Sequence, residues 1–278
     1  MSKLAANIVK GIIGRLSGKK KKSSGSRVSW LQEKLLKHED DVKEKTITLN
    51  NISVCYKRPY EVLHTYKDIF ENEIYKFSTS STRPVIIDCG ANIGLSVIYF
   101  KRLYPTAKLI AFEPDPGIFE LLEKNIRLNN LQDVELHQSA VWTENGSISF
   151  SANSTEASHI SENADPTTAQ QVKTERLADF LSLVEKIDFL KVDIEGAEWK
   201  VMLDCARHLS KIQNMFIEYH GKAHETNKLA DLLQLFQQHN FSTYIKNAAD
   251  TLDYPFINKT TNSVYDVQLN IFCYKTNN

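Results

Sequence analysis

An alternation of short apolar runs with amphipathic segments most restricts how this chain can fold. Val85, Ile86 and Ile87 form a β-branched run, as expected of a strand buried on both faces. From Ile93 to Tyr104 the apolar positions change to helical spacing, and Pro105 closes the segment. The same pattern returns at 108–112 with 118–128, at 187–192 with 197–209, and at 214–219 with 229–239. Further strands are expected at 134–141, 241–245 and 267–274. Strands and helices alternating at this spacing predict an α/β, doubly wound, mostly parallel sheet completed by an antiparallel terminal pair. In such a sheet ligands bind in the crevice beyond the carboxyl ends of the strands.

The polar clusters fall at those ends. The first strand runs into DCGANIG, residues 88–94. Glycines there permit positive φ and leave no Cβ between backbone and ligand; a tight strand-to-helix turn with no ligand is the alternative. Glu113 ends the second strand, 23 residues after Gly90. An acid at that place can accept hydrogen bonds from both hydroxyls of a ribose. The strands at 187–192 and 214–219 run into Asp193-Ile-Glu-Gly196 and Glu218-Tyr-His220. A nicotinamide cofactor would lay its pyrophosphate on a GxGxxG turn, and Asp88 at the head of this turn would repel it. S-adenosylmethionine carries a sulfonium, an ammonium and a ribose but no phosphate, so the electrostatics favour it.

The segments VIIDCGANIGLSVIYF, LIAFEPDP and IDFLKVDIEGAEWKVM resemble the FkbM family of S-adenosylmethionine-dependent O-methyltransferases, over roughly residues 85–220. The resemblance implies a class I, seven-stranded, Rossmann-like methyltransferase fold and methylation of a hydroxyl, often on a sugar or polyketide. It implies that Asp88, Gly90, Asn92 and Gly94 surround the methionine part of the cofactor and that Glu113 holds the ribose. Ser139 and Ala140 would lie near the adenine. Asp193, Glu195, Glu198, Glu218 and His220 would line the acceptor side, with Lys191 paired to one of the acids.

Methyl transfer is an in-line displacement, so much of its catalysis is alignment. A hydroxyl acceptor also needs a base within reach. His220 is the one histidine at a strand tip in the crevice and titrates near neutrality, so it is the expected base, with Asp193 and Glu218 beside it. The acids could instead hold a divalent metal; the reading favours none. Two other functions stay open: a nucleotide-linked oxidoreductase, and a non-catalytic cofactor-binding module, against which the intact Asp88, Glu113 and Asp193 speak.

Composition bounds the partners. Of 34 basic residues, eight lie in residues 1–30 without an acid, so the remaining 248 residues carry 26 basic against 34 acidic side chains, a net of −8. An acidic body argues against a nucleic-acid partner. As a helix, the tail would place Leu4, Ile8, Ile12 and Leu16 on one stripe ahead of four lysines. Residues 1–22 could then touch an anionic membrane surface, or remain a solvated tail. Four cysteines without a CxxC pair suggest reduced thiols and a cytoplasmic protein, with the inner membrane face as a peripheral location.

The expected organisation is a tail and joint over 1–26, a hairpin and helical extension over 27–80, and the methyltransferase domain over 81–278. Within the extension, 46–57 predicts a hairpin around Asn50-Asn51, and 60–77 a helix. Thr143-Glu-Asn-Gly146 predicts a second hairpin turn, and 151–171 a long polar loop.

Overall fold

The computed structural model describes residues 27–41, 43–151, 159–160, 170–250, 252–259 and 264–276. The expected amphipathic tail and most of the expected loop between 151 and 171 lie outside these residues. Seven strands make the main sheet: β3 (Val85–Cys89), β4 (Lys108–Phe112), β5 (Val134–His137), β10 (Ile187–Val192), β11 (Ile212–Gly221), β12 (Ser242–Ala249) and β13 (Val267–Tyr274). Their spatial order is β12-β13-β11-β10-β3-β4-β5, and β13 alone runs against the others. The sheet is that of the class I methyltransferase fold. The last strand in sequence is thus inserted between β11 and β12 and does not lie at the edge.

Parallel neighbours need crossovers, and these are helical: α3 (Leu95–Leu103), α4 (Pro116–Leu128), α5 (Leu177–Ser182), α6 (Glu198–Asp204) and α7 (Thr226–Gln238). Helices on both faces explain why all six residues of β10 are buried. Alternate residues feed two cores. Ile87, Ile110, Leu190 and Ile217 pack toward α5, α6 and α7, whereas Ile86, Leu109, Phe189 and Phe216 pack toward α3, α4 and the N-terminal extension.

The extension consists of α1 (Trp30–His38), β1 (Lys45–Leu49), β2 (Ile52–Tyr56) and α2 (Pro59–Tyr66). Helix α1 begins with a reciprocal Ser29–Gln32 capping box. Strands β1 and β2 pair through a turn with Asn50 and Asn51 at φ 46° and 66°. The expected helix over 60–77 is shorter: a wide turn at Lys67–Glu71 ends it, and Glu73 at φ 51° turns the chain away. The buried Asn125 of α4 fastens the hairpin to the domain, accepting from Cys55 N at 2.6 Å and donating to Cys55 O at 2.9 Å. Asn129 treats Ser53 in the same way, at 3.2 and 2.8 Å.

Two expectations change. The strand over 134–141 divides after His137, because β5 pairs with β4 while β6 (Ala140–Trp142) joins a second sheet with β7 (Gly146–Ser151), β8 (His159–Ile160) and β9 (Gln170–Arg176). The Asn-Gly turn does reverse the chain, but its two arms do not pair. Strand β9 lies between them, parallel to β6 and antiparallel to β7. No helix among the described residues is long and apolar enough to cross a membrane.

Candidate functional site

The turn between β3 and α3 is fixed by backbone contacts. Gly90 N and Ala91 N both donate to Phe112 O, at 3.0 and 2.9 Å, and Asp193 N donates to Cys89 O at 3.1 Å. Gly90, Asn92 and Gly94 all have positive φ, 84°, 50° and 90°. The physical need for glycine differs from the expected approach of a ligand. A Cβ on Gly90 would stand 1.9 Å from Asp193 O, and one on Gly94 would stand 2.6 Å from Leu122 Cδ1. These glycines admit the tip of β10 and the side of α4.

Asp88, expected beside the cofactor, is fully buried. Its carboxylate accepts from Ser96 Oγ at 2.5 Å and faces Lys191 Nζ at 3.4 Å. Lys191 also donates to Gly90 O at 2.8 Å and to Asp193 Oδ2 at 3.1 Å. Burial opposes the lysine's charge, but Asp193 and Asp88 together keep it protonated well above its ordinary range. Asp88 is not itself part of the cavity wall; its two partners, Lys191 and Ser96, line it. The reason is its inward direction on β3, legible only once β10 lies alongside.

Glu113 is also buried, and each of its oxygens accepts one backbone N–H: Asn92 at 2.9 Å and Asp115 at 3.0 Å. Burial pushes its carboxyl up to about 7, and those two hydrogen bonds oppose the shift. A carboxylate has about four lone-pair sites, so two remain for a diol. Ser139 and Ala140 are buried as well. The Ser139 hydroxyl donates to Glu175 Oε2 at 3.0 Å, and the same acid meets His137 Nδ1 at 2.8 Å. That network commits the Ser139 hydroxyl proton to Glu175.

A cavity of about 300 Å³ opens beside the glycine turn. Gly90, Asn92, Ser96, Asp115, Lys191 and Asp193 form one side, and Tyr56, Arg58, Glu61, Thr65 and Tyr75 of the N-terminal extension form the other. Sequence reasoning assigned no site residue to the extension. Its only signal there was a run of aromatic residues. The size is at the lower end for a small-molecule site; Asp193 lines it directly, and Glu113 stands behind the turn, bonded to the backbone N–H of the lining residue Asn92.

Beyond Asp193 lies a second group of side chains at the tips of β10 and β11. His220 Nδ1 is 3.2 Å from Glu198 Oε1, while its Nε2 is 3.6 Å from Glu195 Oε2 and 3.9 Å from Glu218 Oε1. Burial alone would lower the imidazole's pKa, but Glu198, Glu195 and Asp193 raise it to about 10. Burial pushes the carboxyls of Glu195 and Glu218 upward. The expected base is therefore an imidazolium in this arrangement. Glu198, expected on the acceptor side, is fully buried and accepts from Ile194 N and Gly196 N, both at 3.1 Å. It closes the turn ahead of α6 and orients His220, and it cannot touch an acceptor. Tyr265, which the sequence did not single out, donates to Glu195 O at 2.5 Å and packs 4.9 Å from the His220 ring.

Residues 88–243 match the methyltransferase FkbM domain. The chain is 33% identical over 183 residues to methyltransferase 1 of Beauveria bassiana, covering 57% of this chain and 73% of that protein. It is 33% identical over 193 residues to methyltransferase sdnD of Sordaria araneosa, covering 57% and 74%. With 2-O-methyltransferase NoeI of Sinorhizobium fredii it shares 30% identity over 157 residues, 49% of this chain and 63% of that one.

Proposed function

The chain belongs to the FkbM methyltransferase family, and from that premise we propose that it methylates a hydroxyl of a small-molecule or glycan acceptor, of the sugar or polyketide type. The nucleotide-linked oxidoreductase reading falls with the family assignment. When bound, S-adenosylmethionine, the methyl donor, supplies a methyl group made electrophilic by its sulfonium.

The observation that carries the proposal is the position of Asp193. Its carboxylate lines the cavity beside Gly90 and Asn92 and also borders the group formed by Glu195, Glu218 and His220. A ligand in the cavity and a hydroxyl over the strand tips would meet there. Glu113 would hold the ribose hydroxyls, and the Asp88–Lys191–Asp193 chain would fix the floor. Facing an acceptor, carboxylates are hydrogen-bond acceptors only, which suits hydroxyl groups. As the acceptor oxygen bonds to the methyl carbon, the carbon–sulfur bond breaks and the hydroxyl proton passes to the protein. Glu218 in its ionised form is the group to receive it, because His220 Nδ1 is committed to Glu198 and its Nε2 faces two acids. Burial pushes the Glu218 carboxyl up to about 8, so turnover should rise with pH toward that value. The NoeI relative, a 2-O-methyltransferase by name, supports oxygen as the acceptor atom.

The test incubates purified full-length protein and methyl-labelled cofactor with sugars, glycans and macrolactones, and reads products by mass spectrometry. A methyl ether formed one-for-one with S-adenosylhomocysteine is expected. Glu218→Gln should lower turnover ~10²–10⁴-fold, the usual contribution of a positioned base, with cofactor affinity unchanged. Methylation at nitrogen or carbon, or wild-type turnover in the variant, would overturn the reading.

A further inference from the structure

We propose that Asp193, Glu195 and His220 form a binding site for one first-row divalent cation. Each offers one ligand atom, His220 once its Nε2 proton passes to solvent as the cation binds, and the three atoms lie within 4.8 Å of one another. Two ligands on opposite sides of one ion stand about 4.2 Å apart when each bond is ~2.1 Å, so a small rotation of Glu195 closes the set. That side chain is the most exposed of the three and is free to make the adjustment. The elements beneath are stiff: Asp193 follows β10, His220 lies in β11, and the two strands pair in parallel up to Val192 and Ile217. Between them, Glu195 and Gly196 take left-handed backbone angles, φ 54° and 95°.

A separate observation concerns His220. Its side chain is only 4% exposed, and the nearest oxygens to Nε2, at 3.6 and 3.9 Å, are beyond hydrogen-bond reach. Nε2 therefore faces the carboxylates of Glu195 and Glu218 at ion-pair distance without a direct hydrogen bond to either. The other nitrogen, Nδ1, meets the fully buried Glu198, which is itself held by two backbone N–H groups. A carboxylate on the far nitrogen is the usual support of a metal-bound imidazole: it fixes the tautomer, aims the free nitrogen and raises its basicity. Two carboxylates with one imidazole form a mixed oxygen–nitrogen set, suited to Mn²⁺ or Zn²⁺ and poor for thiophilic ions.

The consequence for catalysis rests on the proposed function; cation binding does not. An acceptor hydroxyl on the cation would give up its proton more readily, and Glu218, outside the ligand set and 3.9 Å from His220 Nε2, would take it.

The test uses chelator-treated full-length protein titrated with MnCl₂, followed by calorimetry and by loss of the free-ion signal in electron paramagnetic resonance. One ion per chain is expected, with affinity at least tenfold weaker in Asp193→Asn, Glu195→Gln and His220→Ala. Because His220 is buried, its variant can misfold. Glu195→Gln, checked by circular dichroism, then carries the test. No binding of Mn²⁺ or Zn²⁺, or undiminished binding in folded Glu195→Gln, overturns the site. Methyl transfer by chelated protein that binds no cation would do the same and leave the proposed function standing, whereas one tight ion without any methyl transfer would support the site and count against that function.

Discussion

Glu113 carries the most direct chemistry of any single residue here, because it is buried, hydrogen-bonded by two backbone N–H groups and raised to about 7. Diol binding needs its ionised form. S-adenosylhomocysteine should therefore bind more tightly as pH rises from 6 to 8, and Glu113→Gln should flatten that dependence and weaken binding by about 1–3 kcal/mol. The sign for stability is opposite. A carboxyl whose folded value lies above its unfolded value of ~4.3 stabilises most below that value and loses the contribution as pH rises through about 7. Calorimetry at several pH values checks the first statement, and thermal melting of wild type against Glu113→Gln checks the second. The acid and its place at the strand end were legible in the sequence. The clamp from Asn92 was not, since it depends on the closed geometry of the glycine turn.

Among elements, the β1–β2 hairpin and α4 are joined by the side chain of Asn125, which satisfies both backbone groups of Cys55 and also donates to Ile93 O at 2.8 Å. Replacing it with leucine keeps the volume and leaves buried peptide groups unpaired, at ~1–3 kcal/mol each. Asn125→Leu should lower stability by roughly 2–4 kcal/mol in denaturant titration, while the more exposed Asn129→Ala should cost less. In the sequence, Asn125 reads as one polar position on an otherwise amphipathic helix. Its partner is 70 residues away, and no local pattern links them. Strand and helix positions were legible because alternation and helical spacing are local. The intervening β9 was not, because the pairing of distant segments decides it.

At the scale of the molecule, residues 27–80 are both core and cavity wall. Leu49, Val54, Leu63 and Tyr75 share one apolar cluster with Ile86, Val97 and Phe100, and Tyr56, Arg58 and Thr65 face the glycine turn across the cavity. Deleting residues 1–26 should leave S-adenosylhomocysteine binding intact. Starting the chain at residue 81 should abolish it and expose apolar surface, read by calorimetry and dye binding.

By itself the sequence determined the alternating architecture, the glycine turn, and the acids and histidine at the strand ends, all of which follow from short-range spacing. Tertiary structure alone decided which of those groups face a ligand. Asp88 turned inward to Lys191, Glu198 closed a turn, and Ser139 was committed to Glu175. Desolvation and pairing depend on neighbours brought from distant parts of the chain, and those neighbours fix the charge, the direction and the free lone pairs of each side chain.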